Sequence, residues 1–72
     1  AEVPPVPWED VEVVIRQEIR RPLEEVFIVI NPQPVAAGSI AQTHRATLKD
    51  GREAALKVQR PGIDITIEQD IN

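Results

Sequence analysis

Small residues followed by a lysine are the combination in this sequence that could do chemistry. The small residues lie in the stretch Pro-Val-Ala-Ala-Gly-Ser-Ile-Ala-Gln-Thr-His at positions 34–44, and Lys57 follows in the run Ala-Ala-Leu-Lys-Val. A loop without bulky side chains lets backbone N–H groups approach a polyphosphate, and a lysine on a nearby strand supplies a compensating positive charge. The combination predicts a nucleotide site. The spacing alone also fits a solvent-exposed strand lysine and an ordinary turn at Gly38-Ser39.

The composition argues against several other classes of function. The chain has 72 residues, a formal net charge of -4, one histidine and no cysteine. Without cysteine there is no disulfide, and a single histidine gives little basis for a metal site. The acidic balance disfavours DNA or RNA as a ligand, since nucleic-acid binding depends on clustered Lys and Arg. No apolar run approaches the roughly 20 residues of a membrane span. We expect one small domain that is marginally stable or relies on a partner.

The first part of the chain predicts a helical entry to the fold. Prolines are concentrated in residues 1–7, which are typical of an extended arm. A helix is predicted from Trp8, with acidic residues in its first turn and Pro22 closing it. Its apolar stripe repeats at helical spacing, at Val11, Val14, Ile15 and Ile19. A short second helix is expected at residues 22–26, and the apolar run Phe27 to Ile30 predicts a strand.

The second part predicts a small sheet that carries the lysine. A proline-rich bend at residues 31–34 precedes two strands, at about 40–48 and 53–59, joined by a hairpin turn at Asp50-Gly51. Strand alternation puts one group of side chains on an apolar face: His44, Ala46, Leu48, Leu56 and Val58. The opposite, more polar face receives Thr43, Arg45, Thr47, Ala55, Lys57 and Gln59. On the apolar face His44 is expected to be half-buried and bonded to a backbone carbonyl.

These elements together predict an α+β fold in one domain. It contains an N-terminal helix, a short second helix, an antiparallel sheet of two or three strands and a C-terminal helix. The last helix is inferred from the spacing by four of Ile63, Ile67 and Ile71. The expected boundaries are the arm at 1–7, the helices at 8–26, the sheet at 27–60 and the final helix at 61–72.

Five short motifs follow one another along the chain: Val-Pro-Pro, Arg-Pro-Leu-Glu-Glu-Val-Phe, Ala-Ala-Gly-Ser-Ile-Ala-Gln-Thr-His-Arg-Ala, Leu-Lys-Asp-Gly-Arg-Glu and Leu-Lys-Val-Gln-Arg-Pro-Gly-Ile. Together they resemble the UbiB family of atypical protein-kinase-like proteins, which is tied to ubiquinone biosynthesis. The resemblance covers nearly the whole chain and implies part of a kinase-like small lobe. Its most specific parts are residues 36–44 and 57–62.

The resemblance implies a role for each small residue and for the lysine. An alanine-rich loop replaces the usual kinase glycine-rich loop in this family, so the residues over the nucleotide phosphates would be Ala36, Ala37, Gly38 and Ser39. Lys57 would contact the α and β phosphates, Ala55 would line the adenine pocket, and Thr43 would lie above the base. The cofactor implied for the intact protein is ATP or ADP with Mg²⁺, and none is expected to be required by these 72 residues alone.

Three positions depart from the family pattern, and several family residues are not in this sequence. Gly38 replaces a third alanine and makes the loop more permissive, whereas Thr43 and Ala54 stand where valine is usual. The Lys-x-Gly-Gln signature is absent, and the resemblance implies that the glutamate partner of the lysine and the catalytic and metal-binding aspartates follow Asn72. Glu68 comes too soon after Lys57 for that partner. We therefore expect weak or no nucleotide binding and no catalysis from this segment alone.

A second hypothesis of another class stays open alongside the first. Exposed apolar helix faces would make the chain a non-catalytic interaction module that self-associates or docks on the remainder of a kinase-like domain. The resemblance leaves the compartment unknown, with cytoplasmic and peripheral membrane-associated locations both compatible.

Overall fold

The computed structural model describes residues 4–59 and 62–69, which form two helices and one antiparallel sheet. The helices are α1, Trp8–Ile19, and α2, Leu23–Val26; the strands are β1, Phe27–Ile30, β2, Ala36–Ala37, β3, Ala41–Leu48, β4, Glu53–Gln59, and β5, Asp64–Gln69. The sheet order is β1-β3-β4-β5, and the short β2 also pairs with β3. This architecture confirms the α+β fold class, with five strands where the sequence predicted two or three.

Helix α1 begins and ends where the prolines and charges of the sequence direct it. Pro7 is its N-cap residue, acidic side chains occupy the first turn, and Arg20 ends it in the left-handed conformation with φ 61°. The buried residues of the helix are Val11 and Ile15, which lie on the predicted apolar stripe. Pro22 then caps α2, so the predicted short second helix is confirmed.

One face of the sheet forms the core together with the buried side of α1. The buried apolar side chains are Val11, Ile15, Leu23, Phe27, Ala46, Leu48, Ala54, Leu56 and Val58. Along β3 buried residues alternate with more exposed ones, as the period of a half-buried strand requires. The predicted division of the β3–β4 hairpin into an apolar and a polar face is therefore confirmed. The face turned away from α1 stays accessible for a ligand.

The hairpin turn between β3 and β4 is fixed by its own side chains. Gly51 adopts φ 91°, which a residue with a Cβ rarely adopts. The Asp50 carboxylate accepts hydrogen bonds from the Arg52 backbone N–H at 3.0 Å and from Arg52 Nε at 2.7 Å. The backbone hydrogen bond from Arg52 is the largest influence that lowers the pKa of Asp50 below its usual value. The turn thereby fixes the register that pairs Thr43 with Lys57.

The predicted C-terminal helix is wrong over the residues that the structure describes. Residues 64–69 form strand β5, which pairs antiparallel with β4 from Ala54↔Gln69 to Gln59↔Asp64. The spacing by four of Ile63 and Ile67 hid a simpler alternation, because Ile65 lies between them. Pairing with the open edge of β4 satisfies backbone groups that a separate helix would leave unpaired on that strand. Within the predicted boundaries, residues 1–3 of the arm, residues 60–61 and residues 70–72 lie outside the described residues.

Candidate nucleotide-binding site

A row of four residues crosses the accessible face of the sheet and joins the small-residue stretch to the lysine. Ala36 pairs with Thr43 across β2 and β3, and Thr43 pairs with Lys57 across β3 and β4. Thr66 of β5 continues the row beyond Lys57. Since directly paired residues in an antiparallel sheet project to the same side, the lysine and the first small residue share one face. That face is the one opposite the core.

The small-residue stretch is a tight hairpin rather than an open loop. The Gly38 N–H donates to the Ala41 carbonyl at 2.9 Å, and the Val35 N–H donates to the Thr43 carbonyl at 2.8 Å. Those two amides are therefore engaged by strand pairing. Within the described part of the chain, the N–H groups of Ser39 and Ile40 at the tip donate no hydrogen bond. The backbone donors open to a phosphate are thus at the tip, and Ile40, 70% exposed, was not among the predicted site residues.

A cleft of about 300 Å³ adjoins this row on the accessible face. Its lining residues are Val35, Thr43, Arg45, Glu53, Ala54, Ala55, Glu68 and Gln69. Two of the predicted pocket residues, Thr43 and Ala55, thus lie in one concavity, whereas Lys57 is outside the lining. Ala54 is 6% exposed and belongs to the core as well. The cleft combines small apolar walls with both donors and acceptors, as pockets for small molecules generally do.

Positive charge is available on this face without an internal partner. Among the described residues, neither Lys57 nor Arg45 forms an ion pair, whereas Arg16, Arg21 and Arg52 each pair with a carboxylate. Lys57 is opposite Thr43, and Arg45 lies two residues further along β3 on the same side. Lys57 thus offers a positive charge to an anionic ligand at its end of the face, whereas the cleft at the Arg45 end also carries the carboxylates of Glu53 and Glu68. Glu68 is opposite Ala55 on the same face and makes no ion pair with Lys57.

The residues that the structure describes offer no set of ligands for a metal ion. They include no group of three or more His, Asp or Glu side chains close enough to hold one. Mg²⁺ needs at least one or two carboxylates besides the phosphates of its nucleotide. This part of the chain therefore offers no preformed set of three or more ligands for a metal ion, and no chemical step follows from it.

Directly behind the row, two buried polar side chains of β3 connect the sheet to distant segments. His44 is fully buried, so the prediction that it is half-buried is wrong. Its Nδ1 lies 2.9 Å from the Asn31 carbonyl, which confirms the predicted bond to a backbone carbonyl. Gln42 is 1% exposed and was missed by sequence reasoning. The Gln42 amide accepts a hydrogen bond from the Val6 N–H at 2.7 Å and donates one to the Val6 carbonyl at 3.1 Å.

The network assigns the direction of each of these hydrogen bonds. The pairing with Val6 fixes the Gln42 Oε1 as an acceptor and its Nε2 as a donor. The second proton of Nε2 points to His44 Nε2 at 3.0 Å, so His44 Nε2 accepts and His44 Nδ1–H donates to the Asn31 carbonyl. The Trp8 ring lies 5.4 Å from the His44 ring, centroid to centroid. The proline-rich arm, the start of α1 and the bend after β1 therefore meet at this network.

Comparison with known proteins places the chain in a family. Residues 1–72 match the ABC1 atypical kinase-like domain. An uncharacterized protein of Synechocystis is 52% identical over 94% of this chain and 17% of its own length. A probable protein kinase UbiB of Marinobacter nauticus is 42% identical over 96% of this chain and 13% of its own length. An Arabidopsis thaliana chloroplastic protein named ACTIVITY OF BC1 COMPLEX KINASE 1 is 44% identical over 97% of this chain and 10% of its own length.

The chain belongs to the ABC1 atypical kinase-like family, as the resemblance in its motifs predicted. It spans less than one fifth of the length of these relatives. No solved structure matches it. In the described part of the chain, no helix has both the length and the apolar character needed to cross a bilayer.

Proposed function

We propose that this chain forms the adenine-nucleotide-binding part of an ABC1-type atypical kinase-like protein. The observation that carries the proposal is the cross-sheet row in which Ala36, Thr43 and Lys57 share the face opposite the core. The family membership adds a nucleotide as the expected ligand class. The resemblance to UbiB supports a further assignment of the protein to ubiquinone biosynthesis.

Binding would use the two ends of the accessible face differently. The ammonium group of Lys57 and the free amides at the loop tip suit phosphate oxygens, because both supply positive charge or N–H donors without a competing partner. The cleft beside Thr43 and Ala55 offers small side chains against which a flat base can pack. The ligand would then lie along β3, with its phosphates toward Lys57 and its base toward Arg45.

The proposal is for binding and not for phosphoryl transfer by these residues alone. Transfer of a phosphoryl group requires a positioned base and metal ions around the γ-phosphate. The part of the chain that the structure describes includes no carboxylate cluster that could hold such ions. We therefore expect adenine nucleotides to bind without being hydrolysed.

The proposal is tested by removing the amine of Lys57 and leaving the hairpin intact. In isothermal titration with ADP and ATP, Lys57→Ala is expected to weaken binding by about tenfold to a hundredfold, since a charge-assisted contact contributes about 1.5–3 kcal/mol. The matched control is Lys49→Ala, which removes an exposed lysine of the β3–β4 turn. Equal affinities of the parent chain and Lys57→Ala would refute the role of the lysine, and absence of binding to the parent chain would refute the proposed function.

A second candidate function is that of a self-associating interaction module. The predicted use of apolar helix faces is wrong for Val11 and Ile15 of α1, because both are buried in the core. The candidate is favoured instead by the position of β1 at the edge of the sheet, with Ile28 59% and Val29 55% exposed. An unpaired apolar edge strand is a template for pairing with another chain. Light scattering over a dilution series tests this candidate, and a monomer mass at every concentration would eliminate it. One molecule can have both functions, because the edge strand β1 and the cross-sheet row share no residue.

A further inference from the structure

We propose that Gln42 is a positioning residue that couples docking of the proline-rich arm, residues 4–7, to the shape of the nucleotide loop, residues 36–41. This inference rests on the proposed function, since it concerns how the same site is regulated. It predicts that the arm and the nucleotide favour each other's binding although they occupy opposite faces of the sheet.

The contact between Gln42 and the arm has the form of a backbone pairing. The side-chain amide holds both the N–H and the carbonyl of Val6, as a neighbouring strand would. Gln42 is 1% exposed, so loss of either contact leaves a buried polar group without that partner. The arm is therefore held by the Gln42 amide, and a substitution at Gln42 or at Val6 can break this contact.

Gln42 also stands at the foot of the nucleotide loop. It directly follows Ala41, whose carbonyl accepts the bond that closes the loop, and it pairs with Ala37 on β2. Its backbone neighbour Thr43 lies in the cross-sheet row between Ala36 and Lys57. A shift of Gln42 toward or away from the arm consequently displaces the return strand of the loop and the residue opposite Lys57.

His44 continues the connection to the other end of the loop. It accepts the second amide proton of Gln42 and donates to the carbonyl of Asn31. The Asn31 N–H in turn donates to the Arg45 carbonyl at 2.8 Å. The bend that leads into β2 is therefore attached to the same network as the strand that leads out of the loop. The loop is held at both ends by groups that Gln42 orients.

Coupling of this kind must be reciprocal. If docking of the arm raises the affinity for a nucleotide by some factor, the nucleotide stabilises the docked arm by the same factor. A purely structural role of Gln42 predicts lower stability after its substitution but no effect of nucleotide on the arm. The effect of nucleotide on the arm is therefore the measurement that distinguishes a positioning role of Gln42 from a purely structural one.

The experiment compares two substitutions at Val6 in the 72-residue chain. Val6→Pro removes the backbone N–H that donates a hydrogen bond to Gln42 Oε1. Val6→Ala removes side-chain packing and leaves both hydrogen bonds with Gln42 possible. We expect Val6→Pro to weaken ADP binding about fivefold or more relative to Val6→Ala. In the parent chain, saturating ADP should slow hydrogen exchange of the Val6 amide. When the parent chain binds ADP, equal ADP affinities of the two variants, or exchange at Val6 that saturating ADP does not change, would overturn the inference.

A second variant keeps the test decisive if Val6→Pro fails to fold. Gln42→Met removes the amide group of the sheet residue in this contact and keeps a side chain of similar length. It should weaken ADP binding as Val6→Pro does, and the double variant should lose no more than either single one. Additive losses would show that the two residues act independently and would overturn the inference.

The loop itself provides a readout that needs no nucleotide. In the ligand-free chain, Val6→Pro should accelerate exchange of the Gly38 and Val35 amides, which close the loop, relative to Val6→Ala. If the parent chain binds no ADP but this acceleration is seen, the proposed function fails, and with it the predicted effect of a nucleotide on the arm. The coupling of arm docking to the shape of the loop then stands by itself. If ADP binds and the loop amides are unchanged, the coupling fails and the proposed function stands.

Discussion

Two of the three glycines of this chain, Gly38 and Gly51, have opposite effects on the backbone around them. Gly51 adopts φ 91° in the Asp50-Gly51 turn, where any side chain is strained. Gly38, within the nucleotide loop, has no positive φ, and a Cβ there would meet only the Ala41 carbonyl at 4.0 Å. The alanine that the family resemblance implies at position 38 therefore fits this backbone. Gly38 contributes flexibility and not a conformation that glycine alone can adopt.

Alanine at these two positions is expected to change stability in opposite directions. Gly38→Ala should raise the free energy of unfolding by about 0.4–1 kcal/mol, because it reduces the freedom of the unfolded chain without strain. Gly51→Ala should lower the same quantity by about 1–2 kcal/mol, because its Cβ crowds the following carbonyl. Urea unfolding followed by circular dichroism measures both. Destabilisation by Gly38→Ala would mean that the loop has another backbone conformation.

At the scale of elements, the sheet extends over residues that local pattern assigned to a helix. Ile65 pairs with Val58 and packs partly buried against the core, whereas Thr66 pairs with Lys57 on the other, accessible face. Arg52 Nη1 also donates to Gln69 Oε1 at 2.6 Å, which ties the end of β5 to the β3–β4 turn. In the predicted helix, Ile65 would have been off the apolar stripe. The strand and the helix therefore predict different burial for Ile65.

Lysine at positions 65 and 66 distinguishes the strand from the helix. In the strand, Ile65→Lys puts an ammonium group against apolar side chains and should lower the free energy of unfolding by about 1–3 kcal/mol. Thr66→Lys, the matched control on the exposed face, should change it by less than about 0.5 kcal/mol. Thermal or urea unfolding provides the comparison. A neutral effect of Ile65→Lys would argue that β5 is not formed in solution.

At the scale of the whole molecule, the small size of the chain explains why so much apolar surface stays exposed. A chain of 72 residues buries a limited core, and several large apolar side chains remain outside it. Those with more than half of their surface exposed are Val13, Ile28, Val29, Val35 and Ile40. Two of them lie on β1, an edge strand with no charged residue to prevent pairing. Self-association through this edge is the expected behaviour of the molecule at high concentration.

A charge on β1 should abolish that self-association. Ile28→Lys introduces a cation on the edge strand, where lysine blocks edge-to-edge pairing. We expect light scattering to give a monomer mass for this variant at concentrations where the parent chain forms larger species. Gln33→Lys adds the same charge in the exposed bend after β1 and should leave the association unchanged. An equal loss in both variants would indicate a general effect of net charge.

The sequence by itself determined the features whose causes are local. Pro7 and Pro22 fix helix starts, Asp50-Gly51 fixes a turn, and strand alternation then assigns Lys57 and Thr43 to one face. Each of these follows from the φ, the missing N–H or the side-chain period of a few neighbouring residues. The family could also be read from short motifs, since they are contiguous in the chain.

Only the tertiary structure decided the features that depend on distant partners. Residues 64–69 became a strand because β4 offered an open edge, and that edge cannot be seen in the local spacing of isoleucines. Gln42 became the link between arm and loop because folding brings Val6, 36 residues away in sequence, within hydrogen-bonding distance. The hydrogen-bond partner of a buried amide is set by the tertiary structure, so the role of Gln42 cannot be predicted from its neighbours in sequence.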